Sequence, residues 1–351
     1  MGNHMNQNKM NRIFHRMALL SSFAALSLSC SKTVDPGVEP DVSLPFANYE
    51  IIPGDDPFTF EFKNLSKDYS QVEWRFGDDI VSHDVSPTHV YLKAGDYQVN
   101  LKATSESGGT ARKMLDLKIS PEEVFTVSAE KTSTPGDMQF KLITKAEVAS
   151  ASWVFQDKTS FTEFNLLKKF APGEAQKLTV KIKSKKGSEA QQDLLASTAG
   201  IITNLTKKIV EMTSSHENPG GRTANEGTSK IIDNNLATKW YMASITFPAW
   251  NKFTFELPET VKMYAVGSGN DDATKDPKIW TFQGSNDGVN WEILDSRTMP
   301  SNFYIQAGNK YMQLFYYEVV NPKRFLHYRY HVTANSGHAT RYQISEFIMF
   351  K

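Results

Sequence analysis

Residues Ile231–Trp240 read Ile-Ile-Asp-Asn-Asn-Leu-Ala-Thr-Lys-Trp, and more than a hundred residues later the chain reads Ile344-Ser345-Glu346-Phe347. An Asp carboxylate, a Thr hydroxyl and turn carbonyls are hard oxygen donors of the kind calcium collects. Glu346 offers a second carboxylate from the far end of the region. The candidate ligands are the Asp233, Thr238 and Glu346 side chains with carbonyls near Lys230 and Asn235. An ion shared by them ties both ends of one domain together and serves a structural role. The metal-free alternative is an Asx turn beside a buried Thr. In either case Asn234 occupies the turn position that favours positive φ, which Asn tolerates best after Gly.

The rest of the chain reads as strands. Phe58-Thr59-Phe60-Glu61-Phe62 and Lys177-Leu178-Thr179-Val180-Lys181-Ile182-Lys183 alternate in the period of a half-buried strand, and aromatic residues make up 12% of the chain. No long amphipathic helical pattern follows the first thirty residues. At 351 residues the chain exceeds one ordinary core, so about two to four domains are expected. Lys plus Arg and Asp plus Glu balance at 39 each, so no global field draws the protein to nucleic acid.

Four segments in the last third resemble, in order, the signatures of the discoidin family, also called coagulation factor 5/8 type C domains. They are Asp233-Asn234-Asn235 with Thr238 and Trp240; Asn270-Asp271-Asp272 with Lys275 to Trp280; Gly284 to Trp291; and Tyr328-Arg329-Tyr330 with Gln343 to Glu346. Bacterial members of this family are often carbohydrate-binding modules. The resemblance implies a jelly-roll β-sandwich over 204–351, with strands near 252–257, 261–267, 278–284, 291–296, 313–320, 325–333 and 342–350. It also implies a structural calcium on the residues named above.

Two segments upstream resemble the PKD family of immunoglobulin-like sandwiches. In 46–120 the carriers are Trp74-Arg75-Phe76-Gly77-Asp78, His89-Val90-Tyr91 and Gly95-Asp96-Tyr97. A second copy in 121–203 begins about 79 residues on, with Trp153-Val154-Phe155-Gln156-Asp157, Phe170 and the run Leu178, Val180, Ile182. It lacks the Gly and the His. The expected fold is therefore all-β: two PKD-type sandwiches, then a discoidin-type sandwich. Such repeats serve as spacers. The many Lys residues of the second copy (168, 169, 177, 181, 183, 185 and 186) read as a solvated strand face.

The N-terminus reads as a targeting segment, 1–30, with Lys9, Arg12 and Arg16 before the apolar run Ala18–Leu28. Cys30 is the one cysteine, so no disulfide forms within the chain. A lone Cys at this place resembles a bacterial lipoprotein signal, Bacteroidota-type, in which Cys30 carries the lipid. Ser27 departs from the usual Leu of that signal, and the alternative is an ordinary secretory signal that leaves a free thiol. Residues 31–45 are polar, mildly acidic and Pro-rich, as a flexible tether is. The implied location is the outer membrane at the cell surface, held by lipid only.

Sugar recognition requires an apolar plate for a pyranose face and polar groups for its hydroxyls. The terminal domain's loops offer both: Trp250 and Tyr241 as plates, with Glu226, Arg222, His216, Asn270, Arg341 and His338 as polar partners. Trp250 reads as an exposed loop residue. Trp240, Trp280 and Trp291 sit at positions that pack the core. Galactose-binding relatives carry His where this chain has Tyr241, and Arg and Asn where it has Gly267 to Asn270, so only Glu226 keeps a family ligand position. Either the sugar differs or other loop residues hold it. No nucleophile elbow, phosphate loop or zinc motif is present, and no enzyme is expected. The expected partners are a carbohydrate ligand and, through it, glycoside hydrolases and an outer-membrane transporter of a glycan-utilisation system. The alternatives are an adhesin for a host or matrix protein and a structural subunit of an outer-membrane assembly.

Overall fold

The computed structural model describes residues 42–306 and 311–351. The signal segment 1–30, Cys30 and the tether up to residue 41 lie outside them. The fold is all-β as expected. Among the described residues the α-helices are two four-residue turns, Pro121–Val124 and Phe303–Gln306. No described helix is long and apolar enough to cross a membrane.

The two upstream sandwiches repeat one topology. In the first, Tyr49–Pro53, Thr59–Asn64 and Thr88–Val90 form a three-stranded sheet. It packs against Val81–Ser82, Gln71–Arg75, Gly95–Thr104 and Thr110–Ile119, in that order. In the second, Phe125–Lys131, Asp137–Thr144 and Asn165–Lys169 face a sheet ordered Ser160–Phe161, Val148–Phe155, Ala175–Ser184, Glu189–Ser197 and Gly200–Ile202. Strand alternation carries Trp74 and Trp153 into the two cores. Each indole N–H is satisfied by a carbonyl ten residues on, Asp84 at 3.0 Å and Glu163 at 2.8 Å.

The turn after each Trp strand shows what replaced the lost residues. In the first copy Asp78 binds His89, Oδ2 to Nε2 at 2.7 Å, and the imidazole stacks on Phe76 at 4.1 Å. In the second the same eleven-residue spacing joins Asp157 to Lys168. Lys168 is 8% exposed, so it is the buried partner of the more exposed Asp157 and not part of the solvated face that the lysine run suggests. Lys181 and Lys183 do lie at the surface, both beside Glu189.

Residues 43–351 form one compact unit. The chain leaves the second sandwich through Gly200–Ile202. Thr203 and Leu205 then donate backbone hydrogen bonds to Lys351 at 3.0 Å and Met349 at 2.8 Å. Ile202, Met263, Ala265, Ile348 and Phe350 bury a small apolar cluster at this junction.

The terminal sandwich pairs a five-stranded sheet with a three-stranded one. The larger runs Ile209–Ser214, Ala249–Thr260, Arg324–Asn335, Pro277–Ser285, Glu292–Thr298; the smaller runs Leu314–Glu318, Met263–Gly267, Phe347–Phe350. A third ladder joins Trp240–Met242 to Tyr342–Ile344 at one end. Phe253, Phe255, Phe282, Tyr328 and Tyr330 point inward, and Phe347 from the smaller sheet stacks on Tyr330 at 4.5 Å and Phe253 at 5.2 Å. Trp240 and Trp280 are buried as expected.

Two tryptophans depart from the sequence reading. Trp291 is only half-buried, with the Arg329 guanidinium 4.2 Å above its ring. Trp250 lies in the strand Ala249–Thr260 and not in a loop. Ala249, Asn251, Phe253 and Phe255 are the inward set, which leaves Trp250, Lys252 and Thr254 on the outer face. The inward Asn251, held by Ser214 Oγ at 2.9 Å, is what hid this alternation in the sequence.

Alternation sets the stability cost of neighbouring substitutions. Trp153→Ala empties a fully buried site and should lower stability by about 3–5 kcal/mol. Val154→Ala, one residue on but facing solvent, should stay within about 0.5 kcal/mol of the parent. Urea unfolding midpoints of the two variants check this contrast.

Candidate functional site

The two distant segments that opened the sequence reading do meet. Asn235 N–H donates to Asp233 Oδ1 at 3.0 Å and to Glu346 Oε1 at 2.7 Å. Thr238 Oγ1 lies 2.9 Å from both Asp233 Oδ2 and the Asn235 carbonyl. Asn234 adopts φ of 60°, the conformation its position was expected to need. Lys230 Nζ stands 3.6 Å from Asp233 Oδ2, so its ammonium approaches the turn too.

Glu346 is the anomaly. It is 1% exposed, and its Oε2 has no hydrogen-bond partner. Burial first, then the neighbouring Asp233, push its carboxyl up to about 8 against the Asn235 N–H that favours the ionised form. Two carboxyl groups side by side, one with an orphaned oxygen, require a shared proton or a cation. The donor set is all oxygen and fits a hard cation such as calcium. Among the described residues no group of three or more His, Cys, Asp and Glu side chains is placed to hold a metal.

A polar cluster lies at the same end. Tyr241 is half-buried in the short strand Trp240–Met242, opposite Gln343. Two lysines approach its ring, Lys239 Nζ at 5.1 Å and Lys275 Nζ at 5.5 Å from the centroid. Both are almost fully buried, at 6% and 5% exposure. Asp271 accepts from both, at 3.2 Å from Lys239 and 3.0 Å from Lys275. Burial pushes its carboxyl up, but these two contacts outweigh that and leave it below the usual range. Glu226 Oε1 stands 4.0 Å from Lys239, and the Glu226 carbonyl accepts from Tyr241 N–H at 3.1 Å.

Gln343 organises the cluster from below. Its Oε1 accepts from Lys239 at 3.1 Å, and its Nε2 donates to the carbonyls of Asp271 and Asp272 at 3.1 and 3.2 Å. The amide lies flat on Gly269, where a Cβ would sit 2.3 Å from Gln343 Cδ. Only glycine permits that approach. Buried Asp276 receives Gly269 N–H at 2.9 Å, while its Oδ2 has no partner.

The structure divides the sequence candidates into groups. Tyr241 and Glu226 belong to this cluster, and Asn270 is exposed at the head of the loop that supplies Asp271. His338 adjoins that loop, its N–H donating to Thr274 O at 3.1 Å, and its Nδ1 accepts from Arg341 N–H at 3.0 Å. Trp250 and His216 come together elsewhere through Ser215, whose Oγ accepts from Trp250 N–H at 2.8 Å and lies 2.8 Å from His216 Nδ1. Arg222 is turned to the Met212 carbonyl. The sequence reading did not single out Lys239, Lys275, Asp271 or Gln343 as binding groups. Their motif positions were visible, but a lysine reads by default as a surface charge.

A cleft of about 1010 Å³ opens elsewhere, between the second and terminal sandwiches, lined by Phe170, Phe303, Tyr316 and the Lys131–Glu318 pair among others. It holds none of the sequence candidates. Its walls are the junction between sandwiches, and its size reflects their docking.

Residues 38–119 match the family described as the PKD domain. The terminal region is similar to solved carbohydrate-binding modules. One is the module CpGH89CBM32-5 of Clostridium perfringens, in complex with GalNAc-β-1,3-galactose. It is 14% identical, with 42% of this chain and 100% of that chain covered, at TM-score 0.35. Another is the family 32 module of Clostridium perfringens NanJ in complex with galactose, 15% identical over 43% of this chain and 100% of that one, at TM-score 0.34. The chain is also similar to the C-terminal domain of a chitobiase from Bacteroides fragilis, 20% identical over 42% of this chain and 96% of that one, at TM-score 0.34.

Asp276 gives the site a pH signature. Burial pushes its carboxyl from its ordinary value of 3.8 up to about 8, against the favourable Gly269 N–H. Between about 4 and about 8 the folded chain therefore holds a proton that the unfolded chain has lost, and stability falls as pH rises through that window. Asp276→Asn should flatten its share of this slope and gain on the parent at alkaline pH. Melting temperatures of both proteins from pH 4 to pH 9 measure the difference.

Proposed function

We propose that this chain is a non-catalytic glycan-binding protein, lipid-anchored through Cys30 at the outer-membrane surface. Its terminal sandwich captures oligosaccharide or polysaccharide for a glycan-utilisation system. The observation that carries the binding reading is the Tyr241 cluster. An aromatic ring lies against two buried ammonium groups, which pair in turn with the partly exposed carboxylates of Asp271 and Glu226. The ring suits the C–H face of a pyranose, and the charged groups suit its hydroxyls. Hydrogen bonds to Gln343 and the loop carbonyls preorganise these groups before any ligand arrives, which lowers the ordering cost of binding. The repeats, joined to the terminal sandwich by the hydrogen bonds of Thr203 and Leu205, serve in this reading as a spacer.

Calcium belongs to this reading as a structural ion. Asp233, Thr238 and Glu346, with the carbonyls of Lys230 and Asn235, are the residues that would hold it, and its charge would replace the proton on Glu346. Fixing that turn fixes Lys239 and Tyr241, which follow it in the chain.

Two experiments test the proposal. On glycan arrays and in affinity gels the full chain should bind a defined set of sugars, and Tyr241→Ala should weaken that binding about tenfold or more at unchanged melting temperature. Competition by free sugar separates glycan capture from adhesion to a protein, which free sugar leaves intact. Calcium well above its dissociation constant should raise Tm by roughly 5–10 °C over chelator-treated protein, and Glu346→Gln should remove most of that gain. A Tm indifferent to calcium in the parent protein counts against the ion.

A further inference from the structure

The outer face of the five-stranded sheet carries a second set of recognition groups. Cross-strand registers place them in rows. Trp250 stands opposite His331, which pairs with Thr281; Lys252 stands opposite Arg329, which pairs with Gln283; Thr254 stands opposite His327. Lys252 and Arg329 are like charges directly across a ladder, an arrangement that costs stability. Among the described residues neither forms an ion pair with a carboxylate within 4.0 Å.

The rest of the face keeps these charges available. Arg329 is stacked on Trp291 with its guanidinium carbon 4.2 Å from the ring centroid, and its Nε donates to Gln283 Oε1 at 2.7 Å. That fixes the plane of the guanidinium and, among the described residues, leaves both terminal nitrogens without a hydrogen-bond partner. The charge field is positive in the middle of the sheet. His331 is pushed down by burial and then by Arg329, and His327 by burial and then by Lys252, against Glu211 and Asp287 at the far end. A sheet face that holds two unpaired cations, one backed by Trp291 and the other two residues from Trp250 on its strand, suits an anion attached to an apolar ring.

We propose that this face is a second binding surface, separate from the Tyr241 cluster, for a polyuronate chain. Arg329, backed by Trp291, takes a sugar carboxylate through its two terminal nitrogens, Lys252 adds a point charge, and Trp250 carries a pyranose face. A planar carboxylate matches the guanidinium fork, which is why a uronate is the assigned occupant.

Affinity electrophoresis of the full chain in gels containing polygalacturonate tests it. Retardation is expected for the parent protein, and Lys252→Ala and Arg329→Gln should each weaken it by roughly tenfold. Lys207→Ala, an exposed lysine elsewhere on the terminal domain, should leave it unchanged. Lys252→Ala should also melt no lower than the parent, because it relieves a like-charge contact. Full retardation of the Lys252→Ala/Arg329→Gln double variant overturns the proposal. So does retardation that Tyr241→Ala abolishes, which would put the polymer at the other site. Equal retardation by dextran sulfate or poly-glutamate also overturns it, since that is ion exchange and not recognition of a uronate.

Discussion

The terminal sandwich depends on its last ten residues, Tyr342–Lys351. Tyr342–Ile344 pairs with Trp240–Met242 and so holds Tyr241 in place. Gln343 ties Lys239 to the Asp271–Asp272 loop, and Glu346 receives the Asn235 N–H of the turn that precedes them. Phe347–Phe350 then pairs with Met263–Gly267 and closes the smaller sheet, while Met349 and Lys351 accept from the segment that joins the second sandwich. Five separate parts of the fold are thus fixed by these ten residues. These contacts span long sequence separations, so they form only after most of the domain has collapsed.

That dependence explains which features were legible in the sequence. Core strands were readable because alternation is local. Trp74 and Phe76, or Leu178, Val180 and Ile182, declare their faces within a few residues. Asn234 was readable for the same reason, since its φ is a property of one turn. Pairs across the fold were not readable. Nothing in the second repeat announces that Lys168 stands in for His89, because the partner Asp157 is met only after the strands assemble. Lys239 and Lys275 looked like ordinary surface lysines, and only the meeting of three loops around Asp271 buries them. Trp250 shows the opposite failure. One inward polar residue, Asn251, masked a regular strand and made its neighbour look like loop.

The two outward-facing sets of groups differ in how they are assembled. The Tyr241 cluster is built where a short two-stranded ladder meets the Asp271 loop, and its charges are internally paired: Lys239 and Lys275 both reach Asp271. Such a site spends little on ligand desolvation of bare charges, and its specificity comes from the positions of hydrogen-bonding groups. The sheet face is built on strands and leaves Lys252 and Arg329 opposed to each other. Its attraction for a ligand is therefore electrostatic and sensitive to salt.

Stability and recognition pull against each other at three places in this domain: the orphaned oxygen of Glu346, the orphaned oxygen of Asp276, and the Lys252–Arg329 pair. Each is a local departure from the rule that buried polar groups are satisfied and like charges kept apart. Glu346 and Asp276 lie beneath the Tyr241 cluster, one through the Asn235 turn and the other through Gly269 and the Asp271 loop. The third lies on the sheet face. The core holds orphaned groups of its own, the Trp240 indole N–H and the Tyr330 and Tyr342 hydroxyls, so an unmet polar group is not by itself the mark of a binding surface, and only those that border exposed polar groups bear on recognition.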